Sequence, residues 1–362
     1  MRLPRRILAC LALLLSVPAY AEDKVVNMYN WTDYIDPKVL ERFTAETGIK
    51  VQYDVYDSLE TLEGKLLAGN SGYDIVVPTA EPTFARLIKA GALQPLDKAK
   101  IPNLKGEDPT LMKRVETSDP GNKYGGIYLW GSTGIGIIPA KIKPLAPDAP
   151  LDSWDLLFKP DVAKKLAPCG IVMMDSAIDT IPTVLKYLGK DPESSNPKDL
   201  EAVEKTLMAI RPYIKTFASG GALEMLASGQ VCVAMDYSGD VVQAAARAKE
   251  AKQPEVDYVL PKEFAELTFD MLAMPKDAPH PQYAMQLINY LLKPENMAAI
   301  TNAVRYPNAV TASLPLVDAD VKSNPNIFPP AAALGRGFTA RAPAQAAERA
   351  RTRMWARFKA GS

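Results

Sequence analysis

Val25-Val26-Asn27-Met28-Tyr29, Ile49-Lys50-Val51-Gln52-Tyr53-Asp54-Val55 and Tyr73-Asp74-Ile75-Val76-Val77 are three strand-like runs, and what separates them decides the fold. Ile49, Val51, Tyr53 and Val55 alternate as a half-buried strand does, whereas the third run is continuously apolar apart from Asp74 and ends at Pro78. Between the first two, Pro37 opens a helical pattern carrying Val39, Leu40 and Phe43, and Gly48 stops it. Asp57 with Glu60 reads as a capping box for a helix through Leu62, Leu66 and Leu67, and Phe84 to Ala90 reads as a helix ended by Gly91. The order is βαβαβα, which predicts α/β layers. Ligands of such sheets lie beyond the carboxyl ends of the strands. Trp31 to Tyr34 and Thr79 to Glu81 both fall at such ends.

Trp31-Thr32-Asp33-Tyr34 places an indole, a hydroxyl, a carboxylate and a phenol in consecutive positions. A carboxylate pairs with an ammonium group and an aromatic face attracts it, so the cluster suits a small organic cation. Taken alone it reads first as a turn whose aromatics fill the core.

Further along, the alternation is less regular. Gly134 to Ile138 reads as an extended segment suited to crossing between lobes. Ser153 to Phe158 starts a helix, Gly170 to Met174 is a short strand, and Thr183 to Leu188 belongs to a helix in which Pro182 is comfortable only within the first turn. Leu200 to Ile210 is amphipathic, Val231 to Met235 a strand, and Ser238-Gly239-Asp240 leads into a helix through Ala248. Phe269 to Met274 is an apolar strand and Tyr283 to Leu292 an apolar helix.

The start of the chain speaks to its compartment. Arg2, Arg5 and Arg6 precede the apolar run Ile7 to Val17, and Ala19-Tyr20-Ala21 supplies the small residues of a signal-peptidase site. Cleavage after Ala21 leaves about 341 of the 362 residues, more than one core usually serves, so two lobes are expected. Removing the signal leaves 39 basic against 42 acidic residues with no basic stripe, which argues against nucleic acid as a partner. Arg349, Arg351 and Arg353 read as the solvated face of a last helix. Cys169 and Cys232 remain, and an oxidising compartment favours pairing them, two separately buried thiols being the alternative. With a single histidine, His280, no metal site and no cofactor are expected. No G-x-S-x-G elbow or nucleophile–base pair is visible, so an enzyme is not expected either.

Tyr29-Asn30-Trp31-Thr32-Asp33-Tyr34, Glu63-Gly64-Lys65-Leu66, Tyr73 to Pro78, Gln94-Pro95-Leu96-Asp97 and Thr133-Gly134-Ile135-Gly136 stand in a telling order. So do Asp152 to Leu156, Tyr187 to Pro192, Ser238-Gly239-Asp240 and Arg351-Thr352-Arg353. Over nearly the whole mature chain this resembles the periplasmic polyamine-binding proteins of ABC importers, nearest to their putrescine-binding branch. The resemblance implies a two-lobed periplasmic binding protein (type II-like α/β) with a ligand cleft between the lobes. It divides the chain into a signal peptide (1–21), lobe one (22–131, returning at 257–305) and lobe two (132–256 with 306–362). It also implies a Cys169–Cys232 bond, a cationic ligand, an inner-membrane ABC permease as partner, and a monomer.

Position by position, the resemblance makes Trp31 an aromatic wall, Thr32 and Tyr34 hydroxyl contacts and Asp33 a carboxylate for an ammonium end. Asp240 and Asp270 match carboxylates after two later strands, Tyr306 the tyrosine completing the cleft, and Asp179 an acidic position at a helix start. This chain departs from the pattern at Tyr237, where the putrescine branch has tryptophan, and at Thr268, where it has a second aromatic. Glu81 replaces a small hydroxyl residue and Asp236 adds a carboxylate. These departures leave room for spermidine, agmatine or another solute, or for service to a sensor, in place of putrescine.

Overall fold

The computed structural model describes residues 24–218, 221–341 and 343–361; the export signal and the cleavage point after Ala21 lie outside them. Ten strands follow one another: β1 (Val25–Trp31), β2 (Lys50–Tyr56), β3 (Ile75–Val76), β4 (Leu93–Gln94), β5 (Gly125–Ile137), β6 (Ile171–Met174), β7 (Thr216–Ala218), β8 (Val233–Tyr237), β9 (Asp257–Val259) and β10 (Glu266–Pro275). They form one sheet in the order β2-β1-β3-β10-β5-β8-β6-β7, with β4 on β10 and β9 on β5. β1 pairs in parallel with β2 and β3, and β6 with β7 and β8, as helical crossovers between sequential strands require. β5 and β10 run antiparallel between these two groups.

β5 joins the lobes. Its first part, from Gly125 to Thr133, pairs with β10, and its last residues, Thr133 to Ile137, pair with β8. The expected crossing segment is thus the second half of a strand buried along its whole length. One core packs Val26, Phe43, Tyr128, Leu287 and Met297, and a second on the same lobe packs Leu62, Phe84, Phe269 and Met271. The other lobe closes around Trp154, Phe158, Leu207, Val233, Trp355 and Phe358. The segments assigned by resemblance divide more finely than expected. Tyr258 and Phe264 pack into the second lobe's core, and Tyr306 and Val310 into the first, because the chain crosses again through β9, β10 and the loop after residue 304.

Local chemistry fixes the element ends. The Pro37–Thr47 helix is capped by Asp36, whose side chain accepts the Lys38 N–H, and stops at Gly48 with φ 70°. The next helix, Leu59–Ala68, takes Ser58 as its cap, not Asp57: Ser58 Oγ accepts the Thr61 N–H at 3.3 Å. The Ala177–Tyr187 helix begins at a Ser176 cap, so Pro182 lies inside it, a turn later than its chemistry prefers. In the last helix, Gln345–Ala360, Arg351 is buried and not solvated, donating to the Pro192 and Ser194 carbonyls at 3.0 Å each. Cys169 and Cys232 are joined by a disulfide, their Cα atoms 5.5 Å apart.

Candidate functional site: an acidic cleft between the lobes

Strand ends and helix starts from both lobes meet where the lobes face each other. A cavity of about 70 Å³ there is bordered by Trp31, Thr32, Tyr34, Thr79, Thr268 and Asp270 from the first side. Asp179, Asp236, Tyr237, Asp240 and Tyr306 border it as well. It opens toward a wider groove of about 780 Å³ running between the helix that starts at Leu59 and the last helix.

Asp270 owes its aim to an irregularity in β10. The register with β5 shifts between Asp270 and Met271, while Thr79 bridges to Asp270 by backbone pairing. Its Oδ2 accepts from Tyr34 Oη at 2.7 Å and its Oδ1 from Thr79 Oγ1 at 2.6 Å. Burial pushes this carboxyl up to about 6 in spite of those two donors, which favour the charged form. The Tyr34 phenol is pushed well above its ordinary value by burial and then by the Asp270 charge, so it remains a donor. Its ring meets Tyr306 edge-on at 4.9 Å.

The second lobe presents its acids from helix starts, where backbone dipoles favour negative charge. Asp240 lies in the first turn of the Ser238–Glu250 helix. Tyr306 Oη donates to its Oδ1 at 2.9 Å and accepts its backbone N–H at 3.3 Å. Gly239 makes that contact possible, since a Cβ there would overlap the Tyr306 ring. Desolvation in the cleft raises Asp240 to about 6, with Asp33 and Asp270 adding to the rise and Tyr306 and Arg247 opposing it. Asp179, in the first turn of the helix capped by Ser176, accepts from Ser176 and, at 3.1 Å, from Tyr237 Oη. Burial raises it to about 6 as well.

Trp31 forms the aromatic wall at the end of β1. Its ring packs on Tyr56 at 4.6 Å and its Nε1 donates to the Val77 carbonyl at 3.0 Å. Thr32 spends its hydroxyl on the Tyr56 carbonyl at 3.3 Å. Of the residues expected at the site, nine border the cavity: Trp31, Thr32, Tyr34, Asp179, Tyr237, Asp240, Thr268, Asp270 and Tyr306.

Two do not. Asp33, at φ 55°, turns outward with its side chain 52% exposed, and Arg247 of the other lobe reaches it at 3.3 Å. Glu81 leaves the cavity for Ser118, whose Oγ donates to it at 2.9 Å. The hydroxyl in this segment is Thr79, because Thr79 is the residue that pairs with β10 before the chain turns into its helix. Tyr56 to Glu60, Met174 to Ser176 and Ala218 also border the cavity and were not anticipated. All lie at or just past the ends of β2, β6 and β7, so the strand-end rule applied to every strand would have found them.

Ion pairs cross the mouth at two places. Arg247 joins Asp33 and Glu224, and Arg86 joins Glu63 on its own lobe to Glu348 on the last helix. Among the described residues no group of His, Cys, Asp and Glu side chains is arranged to hold a metal ion, and no helix is long and apolar enough to cross a membrane.

The sequence profile of a family described as bacterial extracellular solute-binding protein matches residues 38–329. The chain is 48% identical, over 94% of its length and 93% of the relative's, to the putrescine-binding periplasmic protein SpuD of Pseudomonas aeruginosa. It is 46% identical, over the same shares, to the putrescine-binding periplasmic protein PotF of Escherichia coli. The fold superposes with a TM-score of 0.75, at 28% identity, on the spermidine/putrescine ABC transporter substrate-binding protein PotD of Streptococcus pneumoniae, covering 93% of this chain and 99% of the other.

Proposed function

Because the chain belongs to the bacterial extracellular solute-binding proteins, we propose that it captures a polyamine or a closely related organic cation and hands it to an ABC importer. The observation that carries this reading is a cavity with carboxylates from both lobes, Asp270 on one and Asp240 with Asp179 on the other, walled by Trp31, Tyr237 and Tyr306. An alkyl diamine carries a charge at each end, and each must find acceptors when it leaves water. Its methylenes need apolar walls, which the rings supply.

Capture works by closure. The cation binds one lobe, bridges to the other and stabilises the closed form, which the inner-membrane permease recognises. On this reading the protein acts in the periplasm as a monomer after cleavage following Ala21, and performs no covalent chemistry. Lobe one comprises residues up to about 131 with the 266–310 return; the packing of Tyr258 with lobe two and of Val310 with lobe one supports that division.

Calorimetric titration with putrescine, cadaverine, spermidine and agmatine tests the proposal. Saturable binding of at least one is expected, and heat from none of them overturns it.

A further inference from the structure

Cation capture by Asp270, Asp240 and Asp179 leaves Asp236 without a task. This residue borders the same cavity and is only 4% exposed. Its Oδ1 accepts the Tyr237 backbone N–H at 2.8 Å, and its Oδ2 is buried with no hydrogen-bond partner among the described residues. Native interiors rarely leave a carboxylate oxygen so, and such an atom asks for an explanation.

The tyrosines and the arginine around it are committed elsewhere. Tyr258, whose hydroxyl lies against β5 only because residue 134 is glycine, donates to the Ser132 carbonyl at 3.0 Å. Tyr306 gives its proton to Asp240, and Tyr237 gives its own to Asp179. Arg247 is held by Asp33 and Glu224. Asp236 Oδ2 is thus left with capacity to accept from a ligand in the cavity it borders.

We propose that Asp236 and Asp240 together form a two-carboxylate end of the cavity that recognises a guanidinium, so that the site favours a guanidino-amine over a simple diamine. This rests on the cation-capture reading of the site. A guanidinium presents five N–H groups in a rigid planar fork and can serve two carboxylates at once, whereas a primary ammonium presents three from a single point. The carboxylate of the other lobe suits the ammonium: Asp270 stands singly, and its oxygens each already accept one hydroxyl. An unsymmetrical cavity matches an unsymmetrical ligand.

Two buried carboxyls so placed favour a proton on the pair. Burial raises Asp236 well above the ordinary carboxyl range and the Asp240 charge adds to it. The groups around the pair are the phenols of Tyr237, Tyr258 and Tyr306, all raised and neutral, with Asp33, Asp270 and Arg247 acting on Asp240. A guanidinium entering between the two acids releases that proton.

The test is calorimetry with agmatine and putrescine at pH 7, in phosphate and in MOPS, on the wild-type protein, Asp236→Asn and Asp236→Gly. The wild type is expected to bind agmatine about tenfold more tightly than putrescine, with buffer-dependent heat from the released proton. In both variants the preference should fall toward parity and the buffer dependence should shrink. Binding of both cations with an unchanged preference and unchanged proton release in the two variants overturns the role of Asp236 and leaves cation capture standing. A wild type that binds neither cation overturns the guanidinium end, and silence with cadaverine and spermidine as well overturns cation capture too.

Discussion

The two lobes supply the same chemical group from different backbone settings. Lobe one offers Asp270 from a strand, with each oxygen locked by a hydroxyl from another segment, Tyr34 or Thr79. Lobe two offers Asp240 and Asp179 from the first turns of helices, each bordering the cavity and accepting from a phenol, Tyr306 or Tyr237, with Ser176 also donating to Asp179. The strand-borne acid is thus pre-organised by long-range contacts. The helix-borne acids are favoured by local backbone dipoles and tolerate change better.

Removing the strand-borne charge should have the largest effect. Asp270→Asn places an amide NH₂ against a hydroxyl that must donate, and also deletes the charge partner of one ammonium. A loss of about 3 kcal/mol in ligand binding is expected by calorimetry. Asp240→Asn should cost about 2 kcal/mol, since Tyr306 can still donate to the amide oxygen. If Asp240→Asn proves the more damaging, the helix-borne end carries recognition and the comparison is inverted.

Acidification probes both lobes at once. Asp179, Asp240 and Asp270 stand near 6 in the folded protein against an ordinary 3.8. A carboxyl raised by folding favours the folded state most below the lower value and loses that contribution as pH climbs through the upper one. The Tm of the empty protein should therefore rise between pH 7 and pH 5, as far as these three groups govern it. Affinity for a dication should fall over the same interval, by on the order of tenfold for each carboxylate protonated. Parallel changes in both quantities would contradict the assignment of these acids to the ligand.

The smallest effect belongs to the rim. Asp33→Asn removes an exposed pair with Arg247 and should weaken ligand binding by less than about 0.5 kcal/mol, an effect that fades with added salt. A loss as large as that of Asp240→Asn would return Asp33 to the cavity.

Much of this arrangement was legible in the chain. The alternation from Val25 to Ala90 located the parallel strands, and the strand-end rule with the polyamine-binding resemblance located nine cavity residues. Most of what failed shares a cause, namely contacts made by residues remote in sequence. Arg351 looks solvated on a helical wheel because the carbonyls of Pro192 and Ser194 that receive it come from another segment. Asp33 looked like a ligand group because its partner, Arg247, is 214 residues away. Glu81 and Thr79 exchanged roles because a backbone bridge to β10 fixes which of them faces inward. Asp57 lost the capping position to Ser58 by a single residue, a margin that pattern reading does not resolve.

One consequence of β5 reaches beyond the fold. Because this strand belongs to both lobes, the two halves of the proposed ligand site are covalently tethered through it. Once a cation has settled on one wall, its encounter with the other is intramolecular and set by an effective concentration, not by diffusion. Two individually weak half-sites can then act as one tight one, and lengthening the strand or loosening its pairing would dilute the second half without touching any residue that contacts the ligand.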